Sequence, residues 1–217
     1  MKMSIYIKIL IVQILFFAAS MKLMGQDWNE KILKGDKNMQ GASLGGLVIH
    51  DQDLSNTDFS DAKINGVKFI NCNLKAAIFK NTLFSRGSFE YSDLSNTDFS
   101  KSIINRIDFI GCDMSNSIFM GVRFNSTSFK LKDLLNTDFS KAMISYVDYM
   151  DCNLSGSNFT DATLVDSNFD NVDIRNAVGI KPKNCKFIKS DITGTYLSKN
   201  KVDLIKKKGN SFTDNIE

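Results

Sequence analysis

The sequence predicts an all-β solenoid, on three observations. Every fifth residue from Leu44 to Ile174 is large and apolar, for 27 positions in succession, and the series takes in 13 of the chain's 17 Phe. A period of five fits neither a helix, at 3.6, nor a simple strand, at 2, so it marks a repeat architecture. Two residues before each large position stands a small one, as at Ala42, Thr57, Ala62, Cys72 and Ala77. Of these 27 small positions, 23 are Gly, Ala, Ser, Thr, Cys or Val. The segment Asp53–Ser60 recurs at Asp93–Ser100 and, with Leu135 in place of a Ser, at Asp133–Ser140, a spacing of 40 residues or eight units.

Between the small and the large residue Asp or Asn is frequent, as at Asp53, Asp58, Asn73, Asp93 and Asp98. The unit therefore reads small, Asp/Asn, Leu/Phe, polar, polar. Residues two apart on an extended segment point the same way, so the small and large residues face inward and the Asp/Asn faces out. A small residue beside a large one suits a narrow core that must fill without voids. The motif resembles Ala-(Asp/Asn)-Leu-X-X of the pentapeptide-repeat family, over roughly residues 40–178. That resemblance implies four units per coil and a right-handed quadrilateral parallel β-helix. Sorted at 20 residues per coil, the apolar positions fall into columns of like residues. One holds Leu54, Leu74, Leu94 and Met114; the next Phe59, Phe79, Phe99 and Phe119. The third mixes Ile64, Phe84, Ile104 and Phe124, and the fourth is aromatic, from Phe69 to Phe169 through Tyr149. About seven coils stacked at about 4.8 Å make a rod of roughly 34 Å, held by coil-on-coil contact and needing caps at its ends.

Taken in chain order, residues 1–25 read as a bacterial secretory signal peptide. Lys2 precedes an apolar run from Ile9 to Ala19, and small residues allow cleavage after Ser20 or after Gly25. An uncleaved anchor is the alternative, with only 13 residues between Lys8 and Lys22, short for a span. Residues 26–40 are expected to cap the first coil, with a short helix carrying Trp28, Ile32 and Leu33. The solenoid is expected over 41–178. Gly179 interrupts it and the only Pro, Pro182, follows, so 179–197 is expected as a loop near 178–186 and a last partial coil at Phe187, Ile192 and Leu197. Residues 198–217 are expected to form a capping helix and tail. Ser198 serves as N-cap, Val202, Leu204 and Ile205 form its apolar face, and Gly209 stops it.

Of the 27 basic residues, Lys2, Lys8 and Lys22 fall in the signal segment, which leaves 24 basic against 24 acidic residues. A neutral mature chain implies no nucleic-acid partner. The Lys-rich stretch 181–217 suits a solvated cap. Cys72, Cys112 and Cys152 recur in the small inward slot at 40-residue spacing. Two coils set neighbours about 9–10 Å apart, beyond the roughly 7 Å a disulfide spans. They read as core fillers, and Cys185 has no partner that spacing identifies. His50 is the only His, and no Cys pair has ligand spacing, so neither a metal nor another cofactor is expected. There is no nucleophile motif and no phosphate-binding glycine loop. Lys132 is anomalous, a charge in a small inward slot, for which a local bulge is the expectation.

Two surfaces are candidates for function. The first is an acidic column, Asp53, Asp93, Asp113, Asp133 and Asp173, interleaved with Asn73 and Asn153. Members of the family that protect DNA gyrase act as acidic DNA mimics, so the resemblance allows the same role here. Lys75, Lys80, Lys101 and Lys141 interrupt the acidic region, and export would part the protein from gyrase. The alternative use of each Asp is to close its own turn. The second surface is an apolar stripe of Ile70, Tyr91, Ile110, Leu131 and Met150, an arrangement that often marks an interaction site. The reading is a non-enzymatic, exported scaffold or protein-binding module whose partner is a protein, with homodimerisation as a further use of the stripe. It has no stable membrane span after processing and is periplasmic or extracellular. The other reading is a cytoplasmic DNA mimic that binds DNA gyrase or another topoisomerase.

Overall fold

Each five-residue unit supplies one side and one corner of a square coil. The computed structural model describes residues 27–130, 133–183, 185–188 and 190. Two residues beyond each large apolar position the backbone turns left-handed. Every described residue in this slot, from Gly41 and Gly46 through Asp51 and Asn56 to Asn176, has a positive φ. Asn, Asp and Gly adopt this conformation at least cost, and they fill most corners. Two of the four corners are hydrogen-bonded turns: Thr57 N–H donates to Leu54 O (3.2 Å) and Ala62 N–H to Phe59 O (3.1 Å). With the left-handed residue third in each, these are type II turns.

We number the sides of a coil by their large residues, taking Leu54 as the first, Phe59 the second, Ile64 the third and Phe69 the fourth. The third and fourth sides form continuous parallel ladders. In order these are β1 (Ser43–Gly45), β2 (Val48–His50), β3 (Lys63–Ile70), β4 (Leu83–Glu90), β5 (Ile103–Ile110), β6 (Arg123–Lys130), β7 (Met143–Met150), β8 (Thr163–Val165) and β9 (Asn168–Asp170). From β3 to β9 each residue pairs with the one 20 positions on, as Lys63 with Leu83 and Phe69 with Phe89. The first and second sides touch the next coil by single bridges, such as Asp53 with Asn73 and Asp58 with Ile78. The result is a right-handed quadrilateral β-solenoid of about seven turns, with the hand usual for parallel crossovers.

The core is a stack of rings. Phe59 lies over Phe79 at 4.8 Å and Phe89 over Phe109 at 5.2 Å, nearly parallel. Second-side and fourth-side rings meet edge to face across the centre, Phe99 and Phe109 at 6.3 Å. Both geometries suit the ring quadrupole. The small slots do more than save volume. Ser92 Oγ accepts the Cys72 amide (3.0 Å), Ser167 Oγ that of Val147 (3.2 Å) and Ser190 Oγ that of Val172 (3.3 Å). Each hydroxyl thereby satisfies a buried amide just past a corner that has no turn bond of its own. Cys72, Cys112 and Cys152 occupy the same inward slots and are buried.

At the N-terminal end α1 (Asp27–Leu33) covers the first coil. Ile32 is fully buried and Trp28 packs against the core, whereas Leu33 points to solvent, 56% exposed. At the other end the stretch expected as a loop is partly paired. β10 (Pro182–Lys183) joins β8 and β11 (Lys186–Ile188) joins β9, with Phe187 stacked on Phe169 at 4.6 Å. The pairing interval falls from 20, at Asn158 with Val178, to 18, at Leu164 with Pro182. Gly179 stands in the second-side slot so close to the coil below that a Cβ there would lie 2.5 Å from Thr160 N. The coil is thus shortened by two residues, and Ile180, 4% exposed, is buried beside it. The signal segment 1–25, Leu131 and Lys132, Ile192, Leu197 and the capping helix at 198–217 lie outside the described residues. No helix among the described residues is long and apolar enough to cross a membrane.

Candidate interaction surface

The outward Asp/Asn of each unit closes its own turn. Asp53 Oδ1 accepts the Ser55 amide (3.0 Å), Asp93 that of Ser95 (2.8 Å), Asp113 that of Ser115 (2.9 Å) and Asp173 that of Arg175 (3.0 Å). Asn73 and Asn153 do the same for Lys75 and Ser155. Hydrogen bonding by Ser55 holds the Asp53 carboxyl below its ordinary range, and hydrogen bonding by Arg175 does so for Asp173. The ladder also supplies charge: Asp53, Asn73, Asp93 and Asp113 bridge in succession up the first side. Asp133 stands exposed in the same column.

The apolar stripe lies where the fourth side turns into the first. Register places Ile70, Glu90, Ile110, Lys130 and Met150 in one column, so the apolar residues alternate with charges. Ile70 and Ile110 are half-buried, and Met150 is 42% exposed. Tyr91 occupies the adjoining corner and is the most exposed aromatic side chain there, at 64%. Its ring lies along the next corner, where a Cβ on Gly111 would meet Tyr91 Cδ1 at 2.6 Å. Gly111 thus holds the space that the Tyr91 ring uses.

Sequence reading did not find a groove of about 400 Å³ at the corner between the second and third sides. Ile118 and Met120 line it together with Lys80, Lys101, Asp98 and Asp138. Lys80 Nζ pairs with Asp98 Oδ2 at 3.1 Å. Partial burial pushes the Asp98 carboxyl up, but hydrogen bonds from Ser100 and Lys80 outweigh it, and the net direction is down. A signal for the groove was present. Coils carrying the segment Asp-Leu-Ser-Asn-Thr-Asp-Phe-Ser alternate with coils that depart from it, and the departures include Ile78, Lys80, Ile118 and Met120. Ile118, Met120 and Lys80 thus come from the departing coils, and Asp98 and Asp138 from the coils that carry the segment.

Two family models match the chain. One for a pentapeptide repeat region covers residues 102–178, and one for pentapeptide repeats in eight copies covers 38–75 and 77–116. No curated protein matches the chain. Similar solved structures include HetL, a pentapeptide repeat protein involved in heterocyst differentiation regulation from the cyanobacterium Nostoc sp. strain PCC 7120. It is 17% identical over 78% of this chain and 80% of that one, with a TM-score of 0.44. QnrB1, a plasmid-mediated fluoroquinolone resistance protein, is 24% identical over 83% of this chain and 86% of its own, with a TM-score of 0.35. A pentapeptide repeat protein from the Arabidopsis thaliana thylakoid lumen is 24% identical over 54% of this chain and 75% of its own, with a TM-score of 0.24.

Proposed function

Because the chain belongs to the pentapeptide-repeat family, we propose that it is a non-enzymatic, exported protein-binding module that presents columns of its rod to a protein partner. Proteins of this family are in general scaffolds or binding proteins rather than enzymes. The observation that carries the reading is the edge formed by Tyr91, Ile70, Ile110 and Met150. A large aromatic side chain stands exposed there beside apolar residues repeated every second coil, with Glu90 and Lys130 between them, so that an aromatic anchor is set among apolar and charged contacts. The signal-like segment 1–25 supports export.

The acidic ladder of Asp93, Asp113 and Asp133 favours a second reading, a cytoplasmic DNA mimic that binds a topoisomerase. Compartment separates the two. Intact mass should be measured on the protein from each cell fraction of its own host. A mass lower by about 20–25 residues, found outside the cytoplasm, is the expected result. A full-length mass in the cytoplasm overturns export and makes a supercoiling assay the next step. For the surface itself, partner capture from the same fraction should fall at least tenfold in a variant carrying Tyr91→Ala, Ile110→Ser and Met150→Ser. Unchanged capture would place the interface elsewhere on the rod.

A further inference from the structure

Over the central coils the charges of the rod are segregated by side, whereas toward the ends Asp61, Asp161 and Asp166 stand on the third side and Lys75 and Arg175 on the first. Third-side residues 81–86, 101–106, 121–126 and 141–146 contain Arg86, Lys101, Arg106, Arg123 and Lys141 and no carboxylate. All five cations are exposed, and none has an ion-pair partner among the described residues. Among them stand Leu83, Ile103 and Met143, exposed to 43%, 39% and 53%. The first side lies opposite, across the core. In sequence its positions 92–96, 112–116 and 132–136 contain Asp93, Asp113 and Asp133, with Lys132 as the one cation. One carboxylate oxygen of Asp93 and of Asp113 caps its own turn, and the other has no partner among the described residues.

Like charges stacked at one-coil spacing repel one another, and the core keeps the two sides from neutralising each other. We propose that rods of this protein stack sideways on further copies, the basic third side of one against the acidic first side of the next. Two observations select a second copy as the occupant. The complementary charge is present on the same molecule. The rise is also the same on both partners, since stacked rings repeat at 4.6 to 5.2 Å throughout. The cations stand in three columns (Lys101 and Lys141; Arg123; Arg86 and Arg106) that repeat at the rise of the acidic column and so keep step with it, which a partner of different rise cannot match. Leu83, Ile103 and Met143 lose water in that contact. The two surfaces lie on opposite sides of one rod, so the contact is heterologous and does not close. Assembly runs on past the dimer as a stack of rods. It uses other residues than the Tyr91 edge, and it stands or falls independently of export.

Sedimentation velocity tests the stack. At low ionic strength, where the Debye length is about 30 Å, the protein should form species that grow past the dimer with concentration. At about 1 M salt, where it is about 3 Å, they should dissociate. Arg106→Glu with Arg123→Glu removes the basic side. Asp93→Asn with Asp113→Asn and Asp133→Asn removes the acidic charge and keeps the turn acceptors. Each variant alone should associate at least tenfold more weakly, with an unchanged circular dichroism spectrum as the check on folding. Mixed together they keep one intact surface each, so they should form a complex that stops at one-to-one. A wild-type protein that stays monomeric at low salt overturns the proposal, as does a basic-side variant that stacks like wild type. A monomer whose third side binds vesicles of mixed phosphatidylglycerol and phosphatidylcholine also overturns it, and makes that side a lipid-facing surface.

Discussion

Tyr149 alone among the described residues of the fourth-side aromatic column carries a hydroxyl, and that oxygen is buried with no hydrogen-bond partner among the described residues. Burial pushes the phenol pKa well up, with Cys152 and Cys185 adding to it, so the group stays protonated and neutral. Its ring stacks on Phe129 and Phe169 at 5.0 and 4.8 Å, as a Phe would. Tyr149→Phe should therefore stabilise the protein by about 1 kcal/mol, the desolvation cost recovered. Urea unfolding reads this as a higher midpoint at unchanged slope, and a lower midpoint would show that the hydroxyl has a use. The slot itself is legible from the period of five; the orphan oxygen is not, because it depends on what the coils above and below supply. The same holds for hydroxyls in the small slots. Thr97 Oγ1 meets Ser117 Oγ one coil on (3.0 Å), whereas Thr57 Oγ1, with Ala77 in the corresponding position, and Ser102 Oγ, with Val122, have no partner among the described residues.

At the scale of the element, the unit is a side and a corner, and the corner decides which residues it accepts. Asn56, Asn96, Asn116 and Asn136 sit at left-handed corners, and so do Arg86, Tyr91, Lys101 and Tyr146, which the conformation favours less. Two glycines show how corner and slot differ. Gly121 is a corner residue, φ +68, whose added Cβ would meet only Lys101 Cγ at 3.9 Å. Gly87 is in an inward slot, φ +142, where a Cβ would lie 2.2 Å from the Val67 carbonyl oxygen in the adjacent coil. Gly121→Ala should cost about 1 kcal/mol, the strain of a left-handed Ala. Gly87→Ala should cost at least about 2 kcal/mol more, because backbone of the next coil must move. Thermal and urea unfolding of the two variants side by side give the comparison, and equal losses would refute the steric account. Sequence marks Gly87 only as one more small residue. Its close approach to β3 is a relation between residues 20 apart.

At the scale of the molecule, each coil rests on its two neighbours, so stability should divide roughly by coil. Removal of residues 61–100 joins Ser60 to Lys101, keeps the 20-residue interval, and sets Phe59 beneath Phe119 and Leu54 beneath Met114. That deletion should give a shorter folded rod whose urea m-value falls with the surface it buries. Removal of 61–98 shifts the interval by two and sends polar residues inward, so it should not fold. Circular dichroism and urea titration distinguish the two, and similar behaviour of both would mean that coil register is not what organises the core. The native chain makes one two-residue shift, at Gly179, where a missing side chain and a buried Ile180 accommodate it.

Which residues face inward is determined by the sequence alone. A strict alternation of small and large at a period of five leaves one set of positions able to fill a narrow core, and that choice rests on apolar burial within each unit. The resemblance to the pentapeptide repeat implies a coil of 20 residues, with which the spacing of 40 agrees, and with it the columns of Phe, Leu and Asp. What the tertiary structure decided is which side chains become neighbours across corners and between coils. It alternates Ile70, Ile110 and Met150 with Glu90 and Lys130, lays Tyr91 over Gly111, and brings Met120 to Lys80 and Lys101 in the groove. It also turns the acidic first side away from the basic third. These relations depend on corner geometry and ladder register, through which residues 20 or more apart in the chain become adjacent on the surface.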